Sequence, residues 1–145
     1  VEQTEEFKKK QGELIQEHAA KADIVICTAQ IPGRVAPVLV KKETVERMKP
    51  GSVIIDLAAS TGGNCEATED NKIIEVNGVK IIGNSYYPND MQIDASSMFG
   101  RNVVNLLKLF INEEGGLNLD FEDEVIKGAC LTHNGEIINE RVKSL

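Results

Sequence analysis

Two short aliphatic runs, Ile24-Val25-Ile26-Cys27 and Val53-Ile54-Ile55, stand out in the first sixty residues. Neither alternates with polar residues, which is the pattern of strands buried on both faces in a parallel sheet covered by helices. Ahead of them, Phe7, Gln11, Leu14, Ile15, His18 and Ala19 recur at helical spacing among lysines and glutamates. That spacing predicts an amphipathic helix over 5–22, with Thr4 as N-cap and acids in the first turn. Strands are expected over 23–28 and 52–57. A short helix over 42–48 lies between them, stopped by Lys49-Pro50-Gly51, and Pro32-Gly33 marks a loop over 30–37. Residues 72–76 and 79–82 flank Asn77-Gly78, the signature of a two-residue type I′ hairpin. An irregular loop over 83–90 follows. A long helix then starts at Met91 or Asp94 and runs to Asn112, with Met98, Phe99, Val103, Leu106, Leu107 and Phe110 on one broad face and Gly115-Gly116 as its cap. Strands over 124–131 and 136–138, around Asn134-Gly135, predict a second hairpin before a polar, fraying tail.

Each of the first two strands ends abruptly in small residues, Thr28-Ala29 and Ala58-Ala59-Ser60-Thr61. In open α/β sheets ligands bind beyond the carboxyl ends of the strands, and small side chains there admit a flat cofactor close to the backbone. The loop from Ala58 to Asn64 suits either a nucleotide cradle or a plain turn. Asp56 offers a carboxylate either for chemistry or for capping that loop. No G-x-G-x-x-G occurs, so the usual dinucleotide fingerprint is absent from these residues. Glu66, Glu69, Asp70, Lys8 to Lys10 and Lys41-Lys42 read as solvated surface. No Ser/His/Asp or Cys/His constellation can be assembled. Two strands alone would leave unpaired edges, so the missing strands are expected from another piece of chain.

Composition narrows the partners. The net charge of −7 argues against nucleic acid, and no apolar run approaches the roughly 20 residues of a membrane helix. The polar opening is no signal peptide. Cys27, Cys65 and Cys130 fit neither a zinc pattern nor an even disulfide framework and are expected reduced. His18 and His133 are expected at solvated surface. The start at Val1, inside a predicted helix region, suggests a fragment or a processed chain.

The segment Thr28-Ala29-Gln30-Ile31-Pro32-Gly33-Arg34-Val35-Ala36-Pro37 resembles the Thr-Ala-Leu-Ile-Pro-Gly-x-x-Ala-Pro motif of the NAD(H)-binding domain of proton-translocating NAD(P) transhydrogenases. The resemblance continues through Met48 to Ala58, Gly62-Gly63-Asn64, Gly78 to Gly83, Ala95-Ser96-Ser97 and the region of Gly128, and covers nearly the whole chain. Alanine dehydrogenases resemble it more loosely. The likeness implies an α/β fold: residues 1–92 as the C-terminal half of a Rossmann-like, doubly wound NAD(H)-binding subdomain, and 93–145 as a return helix and a β-hairpin belonging to the other subdomain. It implies NAD(H) bound here and NADP(H) on a partner domain, with hydride transfer coupled to proton translocation through a membrane domain. It further implies a homodimer and a soluble position on the cytoplasmic or matrix-like face of the membrane complex. The N-terminal segment of the same protein would supply the glycine fingerprint. By resemblance Thr28, Ala29 and Gln30 line the NAD site beside the adenosine and ribose, with Gln30 in place of the family's Leu. Ser60 stands where transhydrogenases tend to have Glu and alanine dehydrogenases a catalytic Asp. Tyr86 begins the run Tyr86 to Asp90, which replaces a family loop close to Leu-Pro-Ser-Arg. No residue here is expected to act as acid or base. The rival readings are an alanine dehydrogenase-type amino-acid dehydrogenase and a non-catalytic NAD-binding remnant.

Overall fold

The computed structural model describes residues 4–144, which divide after Tyr87 into two compact units. The expectation attached to Val1 lies outside the described residues.

The first unit opens with helix α1 (Glu5–Lys21). The Thr4 hydroxyl accepts from Phe7 N at 3.3 Å, satisfying one of the amides that a helix start leaves without a partner. The face of α1 that packs inward centres on Gln16 and Ala19, while Phe7 and Leu14 stay exposed. Gln16 fixes the helix to the chain beyond it. Its Nε2 donates to Leu39 O at 2.8 Å, and its Oε1 accepts from Lys41 N at 3.0 Å and Thr44 Oγ1 at 2.7 Å.

Strand β1 (Ile24–Cys27) runs parallel to β2 (Val53–Asp56), with helix α2 (Lys42–Val45) between them in sequence. Strands β3 (Ile73–Val76) and β4 (Val79–Ile82) form the expected hairpin. Asn77 and Gly78 have φ of 50° and 78°, the left-handed pair that a type I′ turn needs. β4 pairs parallel to β2, so the sheet order is β1-β2-β4-β3. The half-sheet therefore has four strands rather than two, because the hairpin joins it. The outer edge of β1 pairs with no strand among the described residues.

The register assigns the faces. Val25, Ile54, Ile81 and Ile74 point one way, together with Cys27, Val76 and Val79. That face packs under Ala19 of α1, Val45 and Met48 at α2, and Val40 and Cys65. Ile24, Ile26, Val53, Ile55, Ile82 and Ile73 point the other way. There Ile24, Ile26 and Ile73 are 65%, 61% and 66% exposed. The expected burial on both faces is thus corrected to burial on one. Both helices of this unit lie on the same side, and neither reaches the second apolar face.

The division falls within α3 (Tyr87–Asp90), which replaces the end of the expected irregular loop, and the second unit continues with α4 (Gln92–Phe110). The chain then turns at Asn112, whose Oδ1 accepts from Glu114 N and Gly116 N, and an isolated bridge pairs Ile111 with Leu117. Gly115-Gly116 thus belongs to a small closed turn rather than to a helix cap. The strand expected over 124–131 is instead helix α5 (Glu124–Ala129). Asp123 caps it, accepting from Val125 N at 2.8 Å and Ile126 N at 3.0 Å, and this local hydrogen bonding outweighs the β-branched pair. The hairpin is reduced to β5 (Thr132–His133) and β6 (Glu136–Ile137). His133 is half-buried against Phe121, ring centroids 5.0 Å apart, rather than fully solvated. Asn139 caps a final turn, α6 (Glu140–Lys143), where a fraying tail was expected.

Candidate functional site

The carboxyl ends of β1, β2 and β4 lie at one end of the sheet, because the three strands are parallel. The chain leaves β1 through Thr28, Ala29 and Gln30 and leaves β2 through a single 3-10 turn, Ala59–Thr61. Leu57 N donates to Cys27 O at 2.9 Å, so the two exits stay paired one residue past the sheet. Further out, Ala36 N donates to Thr61 O at 2.8 Å. The Gln30 amide reaches the Thr61 hydroxyl at 3.5 Å, and that hydroxyl donates to Ala58 O at 3.0 Å. An open hollow of about 470 Å³ lies against this pair of loops, lined by Gly33, Arg34, Val35, Ser60, Thr61 and Gly62.

The loops are held from below by two buried polar side chains. Asp56 and Asn64 are both fully buried. The Asp56 carboxylate accepts from Ala58 N at 3.0 Å, Asn64 N at 2.7 Å, Cys65 N at 2.9 Å and Thr68 Oγ1 at 2.7 Å. It is a loop-organising acceptor. Of the two roles its position allowed, the geometry supplies capping, with both oxygens occupied by donors of the fold. The Asn64 side chain accepts from Ala29 N at 2.9 Å and donates to Ala29 O and Pro37 O, each at 2.8 Å.

Thr28, Gln30 and Ser60 are exposed at this end and Ala29 is half-buried. Gln30 and the Ser60 turn are brought together through Thr61. Tyr86 follows β4 but lines a different hollow of about 450 Å³, with Asn71, Lys72, Ile73, Ile82, Asn84 and Tyr87. Its segment is pinned by Ser85, which bonds Asp70 and Asn71, and by Tyr86 N donating to Asn84 Oδ1 at 2.8 Å. Sequence reasoning named Thr61 and Asn64 only as members of the loop from Ala58 to Asn64, and Arg34 only within the motif, and gave none of the three a role of its own. Only the polarity of Asn64 beside two glycines carried a signal. Among the described residues no cluster of His, Cys, Asp or Glu could hold a metal ion. No helix among them is long and apolar enough to cross a membrane.

The thiols beneath the site are quiet. Burial, reinforced by the Asp56 carboxylate and then by Cys65, pushes the Cys27 thiol up to about 12. Burial also raises Cys65. At about pH 8 an alkylating reagent should therefore label Cys130, which is half-buried, and spare Cys27 and Cys65 until the protein is denatured. Because the folded-state value of Cys27 lies above that of an unfolded thiol, its contribution to stability is complete below about pH 8.5. That contribution should be lost as pH rises toward about 12, measurable as an alkaline fall in denaturation midpoint.

The chain matches the family model described as alanine dehydrogenase/PNT, C-terminal domain, over residues 1–140. It is 49% identical over 137 residues to the NAD(P) transhydrogenase subunit alpha of Haemophilus influenzae, covering 93% of this chain and 27% of that protein. Against the alanine dehydrogenase of Bacillus subtilis the identity is 33% over 133 residues, 88% of this chain and 35% of that one. A transhydrogenase structure from Sinorhizobium meliloti superimposes with a TM-score of 0.73 at 43% identity, covering 95% of this chain and 39% of that chain. The chain thus spans about a quarter to two fifths of the length of the proteins it matches.

Proposed function

Since this chain belongs to the alanine dehydrogenase/PNT C-terminal domain family, we propose that it is the NAD(H)-binding portion of a proton-translocating NAD(P) transhydrogenase. The observation that carries the reading is the paired exit of β1 and β2. Two parallel strands end in Thr28-Ala29 and Ala58-Ala59, held one residue beyond the sheet by Leu57 N to Cys27 O. Thr28, Ser60 and Gly62 are exposed at that end, and the adjoining hollow of about 470 Å³ has room for part of a dinucleotide. Identity favours the same reading, 49% to a transhydrogenase subunit against 33% to an alanine dehydrogenase.

Thr28, Ala29 and Gln30 line the adenosine and ribose side of the NAD(H) site, Ser60 faces it from the β2 exit, and Tyr86 lies toward its nicotinamide end. Bound NADH supplies the hydride. The residues of this chain hold the cofactor and exclude water, and none need transfer a proton. NADP(H) sits on a partner domain and the proton path in a membrane domain, with this portion in a homodimer on the cytoplasmic or matrix-like face. The N-terminal segment of the same protein adds strands at the free edge of β1 and covers the apolar face of Ile24, Ile26 and Ile73. Residues 1–92 complete the nucleotide subdomain with that segment, and 93–145 return to the other subdomain. The exposed hydroxyl of Ser60 stands where an alanine dehydrogenase has its catalytic Asp and a transhydrogenase tends to have Glu, so the choice between the two rests on identity rather than on this position.

The test uses the full-length protein with its NADP(H)-binding component. Reduction of an NADP⁺ analogue by NADH is expected, with no NADH oxidation dependent on pyruvate and ammonia. The reverse outcome would overturn the reading.

A further inference from the structure

The side chain of Asn64 treats Ala29 as a neighbouring strand would, accepting from its N–H at 2.9 Å and donating to its C=O at 2.8 Å. The same amide nitrogen donates to Pro37 O at 2.8 Å. Both ends of the excursion from Ala29 to Pro37 are therefore gathered by one NH₂ group, and the loop between them carries Gln30 and Arg34. The backbone of Asn64 has separate duties. Its N–H goes to Asp56 Oδ2 at 2.7 Å, and its carbonyl accepts from Leu39 N at 2.7 Å and Val40 N at 2.9 Å. The side chain is fully buried, and both its N–H groups and its oxygen are in use. The backbone bonds hold the β2 loop in place, and the side chain is left to orient the other wall of the crevice.

We infer that Asn64 is a positioning residue for the nucleotide. By fixing the Ala29 peptide plane it sets Thr28 and Gln30 against the adenosine half of the dinucleotide. This rests on the NAD(H) reading given above. Asn64 touches no ligand itself; it acts through Ala29. A carboxylate at 64 would still accept from Ala29 N but could not donate to Ala29 O or Pro37 O, leaving two carbonyls short of a donor. A protonated carboxyl would donate to one of them again. The ionisable group bonded to residue 64 is the Asp56 carboxylate on β2, which accepts from its N–H, and the thiols of Cys65 and of Cys27 on β1 are the titratable neighbours of that carboxylate. The thiols stay neutral across the working range, while the Asp56 charge and burial both raise a carboxyl placed there.

The full-length protein and its Asn64→Asp variant are compared for NADH affinity by fluorescence titration. At about pH 8 the variant should bind at least about tenfold more weakly than the parent, recovering to within about threefold at about pH 5.5. A purely structural loss would not return with protons. A variant-to-parent ratio that is flat across this range overturns the inference while leaving the NAD(H) reading intact. A parent that binds no NADH overturns both. Should the variant fail to fold, amide exchange in the unaltered protein decides. The Ala29 N–H should exchange at least about tenfold more slowly with saturating NADH, and an unchanged rate with NADH bound overturns the inference.

Discussion

Replacing Asp56 by alanine is expected to cost the full-length protein about 4 kcal/mol of stability, the balance of several unsatisfied buried donors at about 1–3 kcal/mol each against the relief of an ion's desolvation. The donors are three backbone amides, Ala58, Asn64 and Cys65, and the Thr68 hydroxyl, all between 2.7 and 3.0 Å from a carboxylate with no exposed surface. Ala58, Asn64 and Cys65 are buried, so the vacated space leaves their amides without an acceptor, while the half-buried Thr68 hydroxyl can turn elsewhere. A domain stable by about 5–15 kcal/mol then stands near its threshold. Asp56→Asn should cost less, about 2 kcal/mol, because it keeps the volume and one acceptor while turning an N–H toward other N–H groups. Gly63 belongs to the same device. Its φ is +81°, and a Cβ there would stand 2.9 Å from Asp56 Oδ2 and 3.0 Å from Thr68 Cβ, so the loop closes over the carboxylate only with glycine. Chemical denaturation followed by circular dichroism reads the effect. A loss under about 1 kcal/mol for Asp56→Ala would show that these four bonds do not hold the β2 exit.

The strands of the first unit were legible because their signal is local. Short runs rich in Val and Ile bounded by turn formers, and Asn77-Gly78 between two of them, specify β-structure without reference to the rest of the chain. Thr4 followed by acids specified the helix start in the same way. Side-chain exposure was not legible. Ile24 and Ile26 read as doubly buried because a parallel strand has no polar face to mark which side its own unit covers. The second unit shows the opposite failure. Val125-Ile126 looked like strand, yet a single Asp123 oxygen serving two amides was enough to turn the segment helical. At the candidate site the small residues after each strand announced an opening, since only their size matters there. The residues that shape the opening did not announce themselves. Asp56 at a strand end and Asn64 after two glycines look the same in sequence whether they face water or each satisfy three backbone groups in the interior.

Ile26→Glu in the full-length protein should be as damaging as a core mutation, although Ile26 is 61% exposed in this chain. If the segment that completes the sheet covers the face of Ile24, Ile26 and Ile73, a glutamate at 26 must either carry a charge into an apolar contact or hold the two parts apart. Loss of the buried isoleucine contributes about 1.5–3 kcal/mol, and burying an unpaired carboxyl adds several more before the group protonates or water enters. A net loss of about 3 kcal/mol or more is expected, together with weakened NADH binding, because the crevice would open along the free edge of β1. Leu14→Glu on α1 provides the comparison. Leu14 is 54% exposed, glutamate is as good a helix former as leucine, and no sheet face lies beneath it, so the change should stay within about 1 kcal/mol. Two residues of nearly equal exposure would then differ severalfold in cost. That difference arises only if the β1 face is an interior surface of the whole protein, and equal, small losses at both positions would mean that the sheet is not completed on that side.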